Sequence, residues 1–172
     1  MSAMATETSL AFDSRNFINF QDRSYRWVVS KRFEFTPPIA SDEEVLTALI
    51  KDRQYRDHYA SEDSHEHDSG TVHGPYLIER MSPTSFERID AHAATETLDN
   101  FCFLNDSPPP ESIQERITAE VKAGFATADA FYRLRSLPEA THEASFVLWE
   151  YREIAVICRS DSSLVLHVMA ID

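Results

Sequence analysis

The densest group of potential ligands in the chain is Asp57-His58, Glu62-Asp63, His65-Glu66-His67-Asp68 and His73, which holds four of the seven histidines. Alternate side chains of an extended segment share a face, so the imidazoles of His65 and His67 could reach one ion, with His73 or a carboxylate completing a tetrahedral set. The chemistry would be that of a metal-dependent hydrolase or a metal-regulated domain, in which the ion activates water or polarises a substrate oxygen. A plainer account competes with it. The same residues make an ordinary solvated loop whose histidines only titrate, because no rigid scaffold or supporting partner can be inferred around them. That account is preferred, and no cofactor is expected.

Other chemistries find less support. With three glycines in 172 residues, neither G-x-G-x-x-G nor G-x-x-x-x-G-K-[ST] occurs, so the loops that bring backbone N–H groups against phosphates are missing. H-E-x-x-H, G-x-S-x-G and zinc-type cysteine pairs are missing too. Cys102 and Cys158 are far apart and sit in apolar, strand-like runs. They read as inert, buried thiols in a reducing compartment. No catalytic residue is assigned, and the chain is expected not to be an enzyme.

Glu150-Tyr151-Arg152-Glu153 interrupts an otherwise apolar run near the C-terminus. Charges in a strand are costly when buried without partners, so they face water, pair with one another, or await a complementary surface. These four residues are the candidate partner-binding segment. The competing explanation is structural, with Arg152 paired to Glu150, Glu153 or another strand.

Charge gives that segment a context. The formal net charge is −13. Residues 1–36 hold five basic side chains against four acidic ones, so the excess of acid falls entirely on the rest of the chain. Such a field repels nucleic-acid phosphates and anionic lipid heads and speeds encounter with a basic partner. Nucleic acid and membrane are therefore not expected as partners. A basic protein is. The resulting expectation is a non-enzymatic, acidic, cytoplasmic binding protein that occludes a basic partner, as an inhibitor of the immunity or antitoxin kind or as a chaperone-like escort. Acidity that serves solubility alone is the alternative.

The elements that must position these residues follow from periodicity. Residues 1–14 show no sustained period and read as a flexible leader, with a single α+β domain over 15–172. Tyr25, Trp27, Val29, Phe33 and Phe35 alternate with Arg26, Ser30, Arg32 and Glu34, the pattern of a half-buried strand. Lys31 stands on the apolar parity, which suggests a bulge or an edge there. Pro37-Pro38 ends the strand, and Ser41 with Glu44 has the spacing of a capping box that starts a helix over 42–59. Residues 60–75 read as a long exposed loop. Short strands follow over 76–81, 86–89 and 98–104. A long helix over 111–136 comes next, in which Gly124 implies a close approach by a neighbour. Residues 145–159 and 164–171 read as a hairpin, the second strand apolar on both faces and so central in its sheet. The fold class is α+β, an antiparallel or mixed sheet with two main helices packed on one side and a C-terminal β-hairpin.

Overall fold

A computed structural model describes residues 6–59 and 70–172. Eleven-residue strands β1 (Ser9–Asn19) and β2 (Arg26–Thr36) open the chain as an antiparallel pair, with Ser9 opposite Thr36 and Asn19 opposite Trp27. The expectation of a flexible leader is corrected for residues 9–14. They join the ladder because the long partner strand β2 offers them backbone donors and acceptors, which local periodicity does not reveal.

The main sheet has six strands in the order β1-β2-β8-β7-β6-β5, every neighbouring pair antiparallel. Here β5 is Phe86–Ile89, β6 is Ala130–Leu134, β7 is Glu150–Cys158 and β8 is Ser163–Ile171. As its two-sided apolar sequence predicts, β8 is interior, between β2 and β7. The strands β7 and β8 form the expected C-terminal hairpin.

One face of the sheet is covered by α2 (Ala91–Cys102) and α3 (Glu111–Glu120), which pack Ala94, Leu98, Phe101, Ile113 and Ile117 against Val28, Ile154, Val156 and Met169. The shorter α1 (Asp42–Lys51) lies on the other face, where Val45, Leu46, Leu49 and Ile50 meet Trp27, Val29, Phe33 and Leu166. Its capping box is formed as expected: the Glu44 N–H donates to Ser41 Oγ and the Ser41 N–H to Glu44 Oε2. The helix ends sooner than expected. Asp52 adopts extended backbone and caps a following 3₁₀ turn, Arg53–Tyr55, by accepting from the Gln54 N–H.

Further elements differ from expectation: the strand expected over 76–81 is a two-residue strand, Tyr76–Leu77, followed by a 3₁₀ turn, Ile78–Arg80. Residues 98–104 are not a strand; Ala94, Leu98, Phe101 and Cys102 recur at helical spacing behind the N-cap Asp90, whose carboxylate accepts from the Ala93 N–H. The long helix over 111–136 is three elements: α3, a 3₁₀ segment Lys122–Thr127, and β6. Phe125 remains buried after that break, edge-on to Phe131 and to His167 of β8. Gly124 has open space around it, so no close neighbour explains it.

A small hairpin, β3 (Val72–His73) and β4 (Tyr76–Leu77), turns through Gly74-Pro75. Gly74 is required there twice over: its φ is +50°, and a Cβ would meet the Tyr151 ring at 2.5 Å.

Candidate partner-binding surface and the buried network behind it

The pleat of β7 divides the candidate segment between two environments. Tyr151 opposes Ala170 and Glu153 opposes Val168, which puts both on the α1 face. Glu150 and Arg152 point to the other face, with their side chains partly exposed. Arg152 Nε lies 3.7 Å from Glu150 Oε2, and its guanidinium donates to the Thr97 carbonyl on α2 at 3.4 Å. Here the structural explanation for Arg152 has its partner.

Glu153 is fully buried, and as a surface residue it is corrected. Its Oε1 accepts from the Tyr55 hydroxyl at 2.8 Å, and its Oε2 accepts from the Tyr151 hydroxyl at 2.8 Å and lies 2.5 Å from His73 Nε2. His73 Nδ1 stands 2.5 Å from the Tyr55 carbonyl, which can only accept, so Nδ1 carries a proton. The Tyr151 hydroxyl also lies 2.8 Å from His73 Nε2. Burial pushes the Tyr55 and Tyr151 hydroxyls well above their ordinary range, and the negative charge of Glu153 adds to it. Both therefore stay donors. The Tyr55 ring stacks on His73 with centroids 3.5 Å apart.

Beside this cluster Lys31, the residue out of step in β2, is 1% exposed and donates to Asp57 Oδ2 at 2.9 Å and to the Gln54 carbonyl at 2.7 Å. Its ammonium also lies 4.8 Å from the centre of the Tyr59 ring. No bulge is needed at Lys31, because the register with β8 runs through it unbroken. Burial lowers the Lys31 pKa and Asp57 opposes that shift. Together the two clusters tie residues 52–59 and the β3–β4 hairpin to the sheet, and the network is sealed from solvent at Glu153 and His73.

His73 was expected in an exposed loop, and that too is corrected: it is fully buried, with both ring nitrogens engaged. Holding an ion would break one of those bonds. His65 and His67 lie outside the described residues. Among the described residues, no group of three His, Cys, Asp or Glu side chains is arranged to hold a metal ion.

The surface at the start of β7 is carried by residues 142–149. His142 donates its backbone N–H to the Pro75 carbonyl, and its Nδ1 accepts from the Ala144 N–H, so Nε2 is the protonated nitrogen that donates to the Gly74 carbonyl at 2.8 Å. At the far end the Trp149 N–H donates to the Ile171 carbonyl at 2.8 Å. Between these anchors the 3₁₀ turn Ser145–Val147 displays Phe146, 76% exposed, and Trp149 follows at 83%. Glu139, Glu143 and Glu150 accompany them, and no Lys or Arg occurs between Arg135 and Arg152. The first strand of the hairpin, expected from residue 145, begins at Glu150, and only exposure separates an aromatic anchor here from a core aromatic.

Cys102 is buried on α2, where burial pushes its thiol up to about 11, as an inert thiol requires. Cys158 is half-buried and packs its Sγ near the Thr127 carbonyl and Ser160 Oγ. No helix among the described residues is long and apolar enough to cross a membrane. No family model matches the chain, and no curated protein matches it.

Proposed function

We propose that this chain is a non-enzymatic acidic binding protein that covers a basic protein partner, as an inhibitor of the immunity or antitoxin kind or as an escort, and that residues 143–150 form part of its contact surface. The observation that carries the reading is the exposure of Phe146 and Trp149 on one anchored, acid-flanked segment of a chain with net charge −13. Large aromatic side chains left in water add a cost that burial in a partner removes, and they are the usual anchors of protein interfaces. Glu143 and Glu150 would meet Lys and Arg on the partner, where complementary charge raises the rate of encounter. Glu153 acts from behind, by holding β7 and the hairpin that anchors His142.

The test is capture from the native cell at low and high salt, with the wild-type chain and the Phe146→Ala/Trp149→Ala double variant as baits. The wild type should retain a protein rich in Lys and Arg, with recovery falling as salt rises. The double variant should bind at least about a hundredfold more weakly, from hot-spot losses of about 2 kcal/mol or more. Equal capture by both baits removes residues 143–150 from the interface. A chain that captures no protein and turns over a small substrate is not a binding protein.

A further inference from the structure

We propose that the cleft beside the β1–β2 turn is a binding site for a small molecule that joins a planar ring to a carboxylate or phosphate group. The cleft has a volume of about 310 Å³, within the size range of small-molecule pockets. Phe17, Tyr25, Trp27 and Tyr59 contribute its aromatic walls. Tyr59 stacks on Trp27 with centroids 5.7 Å apart, and Phe17 tilts against Trp27 at 6.1 Å. Rings so placed suit a flat apolar ligand.

The anion preference comes from Arg15 and Arg23. Both line the cleft, and neither makes an ion pair or side-chain hydrogen bond among the described residues, whereas Arg26, Arg32 and Arg159 all do. Among the described residues Arg53, Arg56 and Arg80 also lack an ion pair; Arg15 and Arg23 differ from them in lining this cleft together. The Arg15 guanidinium lies over Phe17, 5.7 Å from the ring centre, and its Nε is buried with no acceptor among the described residues. Tyr59, 2% exposed, ends in a hydroxyl that is also buried, with no partner among the described residues. The positive charge of Arg15 acts on that hydroxyl, against the burial that pushes its pKa up. Two orphaned polar groups on one cleft are what an absent acceptor leaves behind.

The carboxylates lining the cleft are already engaged. Asp22 accepts from Ser24 and Arg26, and Asp172 accepts from Trp27 Nε1 at 3.3 Å. Gln21, Arg23 and Tyr25, which line the cleft, take φ values of +57°, +62° and +58°, a conformation that non-glycine residues adopt at a cost.

Phenyl phosphate and benzoate are the probes, with inorganic phosphate and benzyl alcohol as the parts. Binding is read from Trp27 fluorescence in a Trp149→Phe background. Saturable binding of phenyl phosphate or benzoate, at least about tenfold tighter than either part, is expected, and the tighter of the two identifies the anion. Arg15→Gln and Arg23→Asn should each weaken it about tenfold or more; Asn tolerates the positive φ at position 23, and Arg23 is exposed, so that variant folds even where Arg15→Gln fails to. Tyr59→Phe should keep the ring and lose affinity. No saturable response at millimolar probe, or unchanged binding in the Arg23→Asn protein, overturns the site. Neither result bears on capture of a protein partner.

Discussion

On the α2 and α3 face, the three central strands supply Val28, Met169, Ile154 and Val156 to an apolar layer, and the buried polar side chains find partners nearby: Arg26 on the Cys102 and Ser107 carbonyls, a neutral His167 against Ser30, Thr97 on the Ala93 carbonyl and Ser163 on Asp161. On the α1 face the same strands carry Lys31 and Glu153 into the middle of Val29, Leu166 and Val168. The difference lies in what covers each face. Two regular helices satisfy their own backbones and offer apolar stripes, so the strands beneath them need only methyl groups and rings. The other face is covered partly by short segments, a 3₁₀ turn and a two-residue-strand hairpin, which cannot satisfy or hold themselves in place. Buried charge fixes them there, because an ion pair and a hydrogen-bonded imidazole accept one geometry where an apolar patch accepts several. Apolar packing stabilises one face, and polar pairing specifies the other.

The largest effect that tests this contrast is at Lys31. Lys31→Met removes the ammonium that donates to the buried Asp57 carboxylate, and should cost about 3 to 5 kcal/mol in urea unfolding. Lys31→Met combined with Asp57→Asn, which keeps an acceptor for the Tyr59 N–H, should recover most of that loss. Losses that simply add would show that the two charges do not depend on each other, and the contrast between the faces would fail.

On the apolar face, Phe125→Ala should cost about 3 to 5 kcal/mol, as expected for deleting a buried ring. The distinguishing feature is additivity: combined with Ala94→Gly on α2, the losses should sum to within about 0.5 kcal/mol if the two sites are independent. A change under about 1 kcal/mol for Phe125→Ala alone would place that ring on the surface.

The smallest effect is a pH dependence, and it belongs to the same apolar face. Burial lowers the His167 pKa to about 4, from an ordinary value of 6.5. Below pH 6.5 the unfolded chain takes up a proton that the folded chain refuses until about pH 4. The contribution of the neutral imidazole is therefore whole above pH 6.5 and is lost as pH falls toward 4, a change of about 3 kcal/mol at about 1.4 kcal/mol per unit. Unfolding midpoints measured across that window should fall in the wild type and fall less steeply in His167→Gln. Equal slopes in the two proteins would assign the acid sensitivity elsewhere.

Where local pattern and final environment agree, the sequence alone determined the outcome. The alternation in β2, the capping box at Ser41 and Glu44, the interior position of β8 and the α+β class are all consequences of spacing, because apolar residues at period two or at helical spacing have one way to be buried. Helix α2 was legible in principle, from Asp90 and the spacing of Ala94, Leu98 and Phe101, but the apolar density of 98–104 fits a strand equally well over so short a span.

Tertiary structure decided the rest. Lys31 and the Glu150–Glu153 run stand out in the sequence as breaks in apolar strands, and a break has the same appearance whether a charge faces water or a partner inside the protein. Only the approach of Asp57, Tyr55 and His73, which lie 26 to 98 residues along the chain from the charges they meet, buries Lys31 and Glu153. Exposure of Phe146 and Trp149 is undecidable from residue type for the same reason. An aromatic side chain is buried or displayed according to whether another segment covers it, and that is a property of the assembled chain.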